Sequence, residues 1–159
     1  MFKSTFFILA TIFCLLILAD ATKYRDCQNV RSGVNDALKS LEISGCDKPP
    51  CKLRRGTQTT LRESFIPDRN IKQLKTSVKA ILLGLPVPFI GVDNVDASKD
   101  IYTTDGQKAD WPLLAGKEYH YINSFAVEKF YPTVAPIVHW SLVEGDDVVT
   151  CFLVNARIV

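Results

Sequence analysis

A chain of 159 residues, 47% hydrophobic and 23% charged, is long enough for one domain with a real core. Its formal charge of +2 is too mild to imply nucleic acid as a partner. No low-complexity tract or internal repeat divides it, and it holds no Asn-x-Ser/Thr acceptor for N-glycosylation.

Residues 1–21 read as a secretory signal. Lys3 supplies the positive charge, Phe6 to Leu18 is an almost unbroken apolar run, and Ala19-Asp20-Ala21 has the small-x-small form of a cleavage site. The run is short for a bilayer span, and no second one follows it. Cys14 leaves with this segment, so a mature domain over 22–159 keeps Cys27, Cys46, Cys51 and Cys151. In an oxidising compartment these should form two disulfides. Cys46 and Cys51 bracket Asp47-Lys48-Pro49-Pro50, which the two prolines stiffen, so a local bridge is the natural choice. Cys27 and Cys151 are then left to join the ends of the domain. Zinc is a poor alternative, because only His120 and His139 exist and both lie far along the chain from the close cysteine pair.

Along the rest of the chain the dominant period is two. Val34 to Leu41 fits either a helical turn or the start of a strand. Lys52-Leu53-Arg54-Arg55, the densest basic run, reads as a solvated loop. Gly56 precedes an alternating stretch from Thr57 to Phe65 that Pro67 ends. From Leu74 to Leu82 the even positions carry Leu, Thr, Val, Ala and Leu while Lys75, Ser77 and Lys79 take the other face. Leu82 to Ile90 is apolar, but Pro86 and Pro88 bar it from a central strand, so an edge or loop is expected. Tyr119, Tyr121, Asn123, Phe125 and Val127 share one strand face; Val134, Val138, Trp140 and Leu142 share another; Phe152, Val154, Ala156 and Ile158 share a third. Glu144-Gly145-Asp146-Asp147 is the hairpin turn between the last two. Short strands at this spacing predict an all-β, immunoglobulin-like sandwich of two antiparallel sheets.

Catalytic readings find little support. His120 and His139 fall on the faces opposite the apolar ones and read as surface residues, and Asp146-Asp147 is a turn pair. No Gly-x-Ser-x-Gly elbow, Cys–His nucleophile pair, metal-binding spacing or phosphate loop occurs, so neither a catalytic residue nor a metal or cofactor is expected.

Several elements in order carry a family resemblance: Asp26-Cys27, Gly45-Cys46 with Pro50-Cys51, Leu53 with Arg55-Gly56, and Gly84-Leu85-Pro86-Val87-Pro88-Phe89. Trp111-Pro112-Leu113 with Gly116, Tyr131-Pro132, Trp140-Ser141-Leu142 and Cys151-Phe152 complete the set. From Cys27 to Val159 the chain resembles the ML lipid-recognition domain family, in particular its Niemann–Pick type C protein two branch. Group-two mite allergens and arthropod semiochemical carriers belong to the same family. The resemblance implies two sheets parted around an apolar cavity, and it implies the pairings Cys27–Cys151 and Cys46–Cys51. It places Phe89, Val127 and Tyr131 at the cavity mouth, with Trp140 and Phe152 as deeper walls.

Two departures stand out. Ser98 and Trp111 occupy the positions of a third family disulfide, with a long polar loop between them. We read this as a neutral loss in which Trp111 packs apolar surface in place of the bridge. Glu63 shares a face with Leu61 and Phe65, where the family tends to carry an apolar side chain. The favoured reading turns it to solvent, because Glu is rarely buried unpaired. The competing reading has it reach the cavity and bond the polar end of a ligand.

The expectation is thus a secreted or lysosomal-lumen carrier of one sterol, fatty acid or semiochemical. It would be monomeric, with a membrane or receptor contact for transfer. The alternatives are an innate-immune module presenting microbial lipid to a receptor, and a filled-core protein that carries nothing.

Overall fold

The computed structural model describes residues 21–159. All of the expected signal except Ala21, and Cys14 with it, lies outside the described residues. Among the described residues no helix is long and apolar enough to cross a membrane.

The strands are β1 (Arg25–Asp26), β2 (Leu38–Ile43), β3 (Cys51–Leu53), β4 (Thr57–Phe65), β5 (Lys75–Leu82), β6 (Leu85–Pro88), β7 (Ile101–Thr103), β8 (Tyr119–Val127), β9 (Ile137–Glu144) and β10 (Asp147–Ile158). One sheet runs β1-β10-β9-β5-β6, and the other runs β2-β4-β8-β7. This is the expected immunoglobulin-like sandwich. All its pairings are antiparallel except one, where β3 runs parallel to the end of β10, Cys51 opposite Ala156.

Alternation in the strands decides what each sheet turns inward. Thr59, Leu61, Glu63 and Phe65 on β4 and Tyr119 and Tyr121 on β8 are buried. So are Thr76 and Val78 on β5, Val138, Trp140 and Leu142 on β9, and Thr150, Phe152, Val154, Ala156 and Ile158 on β10. Side chains two apart share a face, so these sets meet in one core between the sheets. A bulge between Val148 and Thr150 keeps the long β10 in phase with β9.

The ambiguous stretch after Gly33 divides in two. A single helical turn, α1 (Val34–Ala37), leads directly into β2. Val34 there covers Cys27 and Cys151, which form a small second cluster on the outer face of β10. The two disulfides are Cys27–Cys151, with Cα atoms 5.8 Å apart, and Cys46–Cys51, at 5.0 Å.

The proline-rich run forms the edge strand β6. Only its β5-facing side is paired, so Pro86 and Pro88 remove no bond from a central ladder. The loop after Ser98 is more ordered than its polarity implies, since it supplies β7 to the edge of the second sheet. Ser98 Oγ accepts from Leu74 N at 2.9 Å, and Trp111 is half-buried against the core.

Both histidines depart from the surface reading. His120 is half-buried with Nδ1 2.8 Å from Ser64 Oγ. His139 is half-buried with Nε2 3.4 Å from Cys151 Sγ and 3.6 Å from Cys27 Sγ. Outer sheet faces are not bare here, because the disulfide and the neighbouring strands cover them, and burial lowers both imidazole pKa values.

Candidate ligand-binding site

The gap between the sheets is lined by apolar side chains from both. Ile43 and Leu61 come from one sheet with Phe125; Val78, Val138, Trp140, Phe152, Val154 and Ala156 come from the other; Cys51, Leu53 and Phe89 close the ends. Leu53 is a wall residue that the basic-loop reading missed: Lys52 and Arg54 point outward on either side of it, so alternation was the available signal. The cavity measures about 20 Å³, room for about one water molecule. The expected cavity is therefore nearly filled by its own walls.

Aromatic rings do the filling. From the exposed Phe130 a line of edge-on and tilted contacts runs inward: Phe130–Tyr131 at 5.1 Å, Tyr131–Phe89 at 5.3 Å, Phe89–Phe125 at 5.9 Å and Phe125–Trp140 at 5.7 Å between centroids. Trp140 then stacks on Phe152 at 6.2 Å, and Phe152 meets Tyr24 at 6.1 Å. Such pairs contribute about 0.5–1.5 kcal/mol each beyond the area they bury. Phe125 is the ring that sequence reasoning left out of the site, although its place between Asn123 and Val127 on the inward face of β8 could have flagged it.

Backbone and ion-pair contacts fix the outer rings. Phe89 N donates to Val78 O at 3.0 Å, and Asp93 receives both Val78 N (2.8 Å) and Lys79 Nζ (2.5 Å), which ties the loop after β6 to β5. Tyr131 Oη donates to Ile90 O at 2.8 Å, and Arg55 Nη1 donates to Tyr131 O at 3.3 Å. Val127 is fully buried at the end of β8, and its carbonyl accepts from Gly56 N at 2.6 Å. Gly56 has φ +77° there, and a Cβ would sit 3.0 Å from Lys129 Cε, so the turn favours glycine. Of the residues expected at the site, Phe89, Trp140 and Phe152 line the cavity directly. Tyr131 reaches it through Phe89, while Val127 is not among its lining residues.

Glu63 corrects the reading that turned it to solvent: it is 0% exposed. Strict alternation along β4 gives it no way out, and Thr150 on the opposite sheet supplies the compensation, donating from Oγ1 to Oε1 at 2.8 Å. Oε2 is buried with no partner, as is Nε1 of Trp140. Burial pushes the Glu63 carboxyl up to about 7, with the Thr150 hydroxyl holding it back. Burial also raises Tyr121, the cross-strand neighbour of Glu63, with the Glu63 charge as the next cause.

Beside the inner cavity, an open cleft of about 260 Å³ runs between β8 and the loop after β6, lined by Thr76, Ile90, Lys99, Tyr121, Asn123 and Phe125 among others. Phe125 is the residue that this cleft and the inner cavity share. The rim also presents exposed apolar side chains: Leu83, Leu85, Val87 and Ile90 on and beside the β5–β6 hairpin, and Phe130 facing Tyr131.

Known proteins resemble both the sequence and this arrangement. The NPC intracellular cholesterol transporter 2 of Bos taurus is 31% identical over 129 residues, 80% of this chain and 77% of its own length. The ecdysteroid-regulated 16 kDa protein of Manduca sexta is 32% identical over 150 residues, 93% of this chain and 96% of its own. The crystal structure of a Niemann-Pick type C2 protein from the Japanese carpenter ant superposes with a TM-score of 0.70 at 25% identity, covering 86% of this chain and 99% of that one. Residues 21–158 match the ML domain family, and the chain belongs to it.

Proposed function

We propose that this protein is a carrier that binds and transports one small hydrophobic molecule (a sterol, fatty acid or semiochemical) between its two sheets, and that it catalyses no reaction. The observation that carries the reading is the ring line from Phe130 to Phe152, which runs from an exposed apolar rim to an apolar cavity wall. Relatives named as cholesterol transporters support the sterol end of this range. Phe89, Val127 and Tyr131 form the mouth in this reading, and Trp140 and Phe152 the interior. Cargo enters by parting rings, and its own apolar surface then packs against the walls where ring had packed on ring. Burial at ~25 cal/mol per Å² makes that exchange favourable for a lipid-sized ligand. Movement of Phe125 would join the cavity to the outer cleft and enlarge both. The two disulfides suit secretion or a lysosomal lumen. The exposed Leu83, Leu85, Ile90 and Phe130 suit a contact with a membrane or receptor at transfer.

The small cavity favours a second reading, a filled-core protein that carries nothing. A module for multi-chain microbial lipid would need the sheets to part further than one small molecule requires. Native mass spectrometry on protein purified from its own source, followed by lipid extraction, tests the first reading against the second. One stoichiometric lipid is expected. Protein free of lipid that also fails to take up cholesterol or oleic acid would leave the filled-core reading standing.

A further inference from the structure

Glu63 lies one side-chain step beyond the cavity wall. Leu61 and Phe152, its own and Thr150's neighbours two residues along β4 and β10, both line the cavity. The mouth is at the other end: Phe89 packs on Phe125, which pairs with Thr59, four residues back along β4. At about 3.3 Å per residue, Glu63 is ~13 Å further in than Thr59. Its Oε2 is buried and unpartnered, and so is Nε1 of Trp140, whose ring packs on Phe125. Interiors seldom leave such atoms unpaired, because their lost hydration is not repaid. Here an acceptor, Glu63 Oε2, remains unused just behind Leu61 and Phe152, the apolar residues that line the cavity's near wall.

We infer that Glu63 is a specificity-determining residue at the inner end of this cavity, taking the hydroxyl group of a neutral lipid that enters polar end first. The inference rests on the carriage reading. A hydroxyl suits the site because it can donate to a carboxylate or accept from a carboxylic acid, so it fits either protonation state of Glu63. A carboxylate-headed lipid would instead bring a second acid group against the first. Thr150 is the positioning residue: by holding Oε1 it leaves Oε2 as the oxygen available to cargo.

Hexadecanol and hexadecane offer one chain with and without the hydroxyl, and displacement of N-phenyl-1-naphthylamine reads both affinities. The wild-type protein should prefer the alcohol about tenfold, the worth of one buried hydrogen bond. Glu63→Gln, whose amide still donates and accepts, should keep that preference. The double variant Glu63→Leu with Thr150→Val removes both partners, so no buried group is stranded. It should bind hexadecane as before and lose the preference. A measurement on the wild-type protein stands beside these variants: nuclear Overhauser contacts from the C1 protons of bound hexadecanol should reach the Thr150 methyl group. Contacts to the Tyr131 ring instead, or a double variant that still prefers the alcohol, would overturn the inference while leaving carriage intact. Failure of both lipids to displace the probe from wild type would overturn carriage and this inference together.

Discussion

Thr150 on β10 donates a hydrogen bond across the sandwich to Glu63 on β4, Oγ1 to Oε1 at 2.8 Å, in a part of the core where both residues are 0% exposed. It joins the two sheets of the sandwich. It also leaves an acid in the core, which makes stability depend on pH.

The Glu63 carboxyl rises from its ordinary 4.5 to about 7 on folding. Below pH 4.5 it is protonated in both states and has no effect. As pH rises from 4.5 to 7 the unfolded chain ionises while the folded chain keeps its proton, so stability falls; above 7 the whole loss is present. That loss is about 3 kcal/mol. Glu63→Gln should flatten this part of the curve, and urea unfolding of both proteins at pH 4, 6 and 8 measures it. A difference between the two that does not change with pH would show that the carboxyl does not titrate in this window.

Phe89, placed at the mouth in the proposed function, packs on Tyr131 on one side and on Phe125 on the other. Phe89→Ala should weaken binding of a fluorescent sterol about tenfold or more and lower stability by about 3 kcal/mol, while the protein still melts cooperatively. Titration with dehydroergosterol and a thermal melt report the two effects separately. Unchanged sterol affinity would remove Phe89 from the site.

Trp140 is 2% exposed and lines the cavity, whereas Trp111 is half-buried at the loop before β8 and lines neither the cavity nor the cleft. Adding oleic acid should therefore change the tryptophan emission of wild type and of Trp111→Phe, and leave that of Trp140→Phe nearly unchanged. A response that follows Trp111 would place the ligand elsewhere.

The two disulfides close loops of very different length, with separations of 124 and 5 residues. Loop-closure entropy gives about 5 kcal/mol for the first and about 2 kcal/mol for the second. Replacing Cys27 and Cys151 by serine should thus cost clearly more than replacing Cys46 and Cys51, as read from denaturation midpoints. Equal losses would mean that packing around Cys27, Val34 and Cys151 or local strain outweighs chain entropy.

Most of the framework is legible in the sequence because it depends on period and punctuation. Alternation from Thr57 to Phe65 and from Leu74 to Leu82 marks two strands, and Glu144 to Asp147 marks a hairpin. The prolines at 86 and 88 confine their segment to an edge. Alternation also put Glu63 on the inward face; the error lay in letting a general aversion to buried carboxylates override it. What the chain alone could not supply was Thr150, 87 residues away, whose hydroxyl makes that burial tolerable. His139 followed the same course, since its cover comes from the disulfide.

The sequence by itself determined a disulfide-tied, all-β chain with one inward face per strand, because side-chain direction and loop punctuation are local properties. The tertiary structure decided how closely the two inward faces approach, and therefore that rings close the cavity to about 20 Å³ and that Glu63 has a partner on the opposite sheet. Those outcomes depend on contacts between β4, β8, β9 and β10, and no local pattern encodes the distance between sheets.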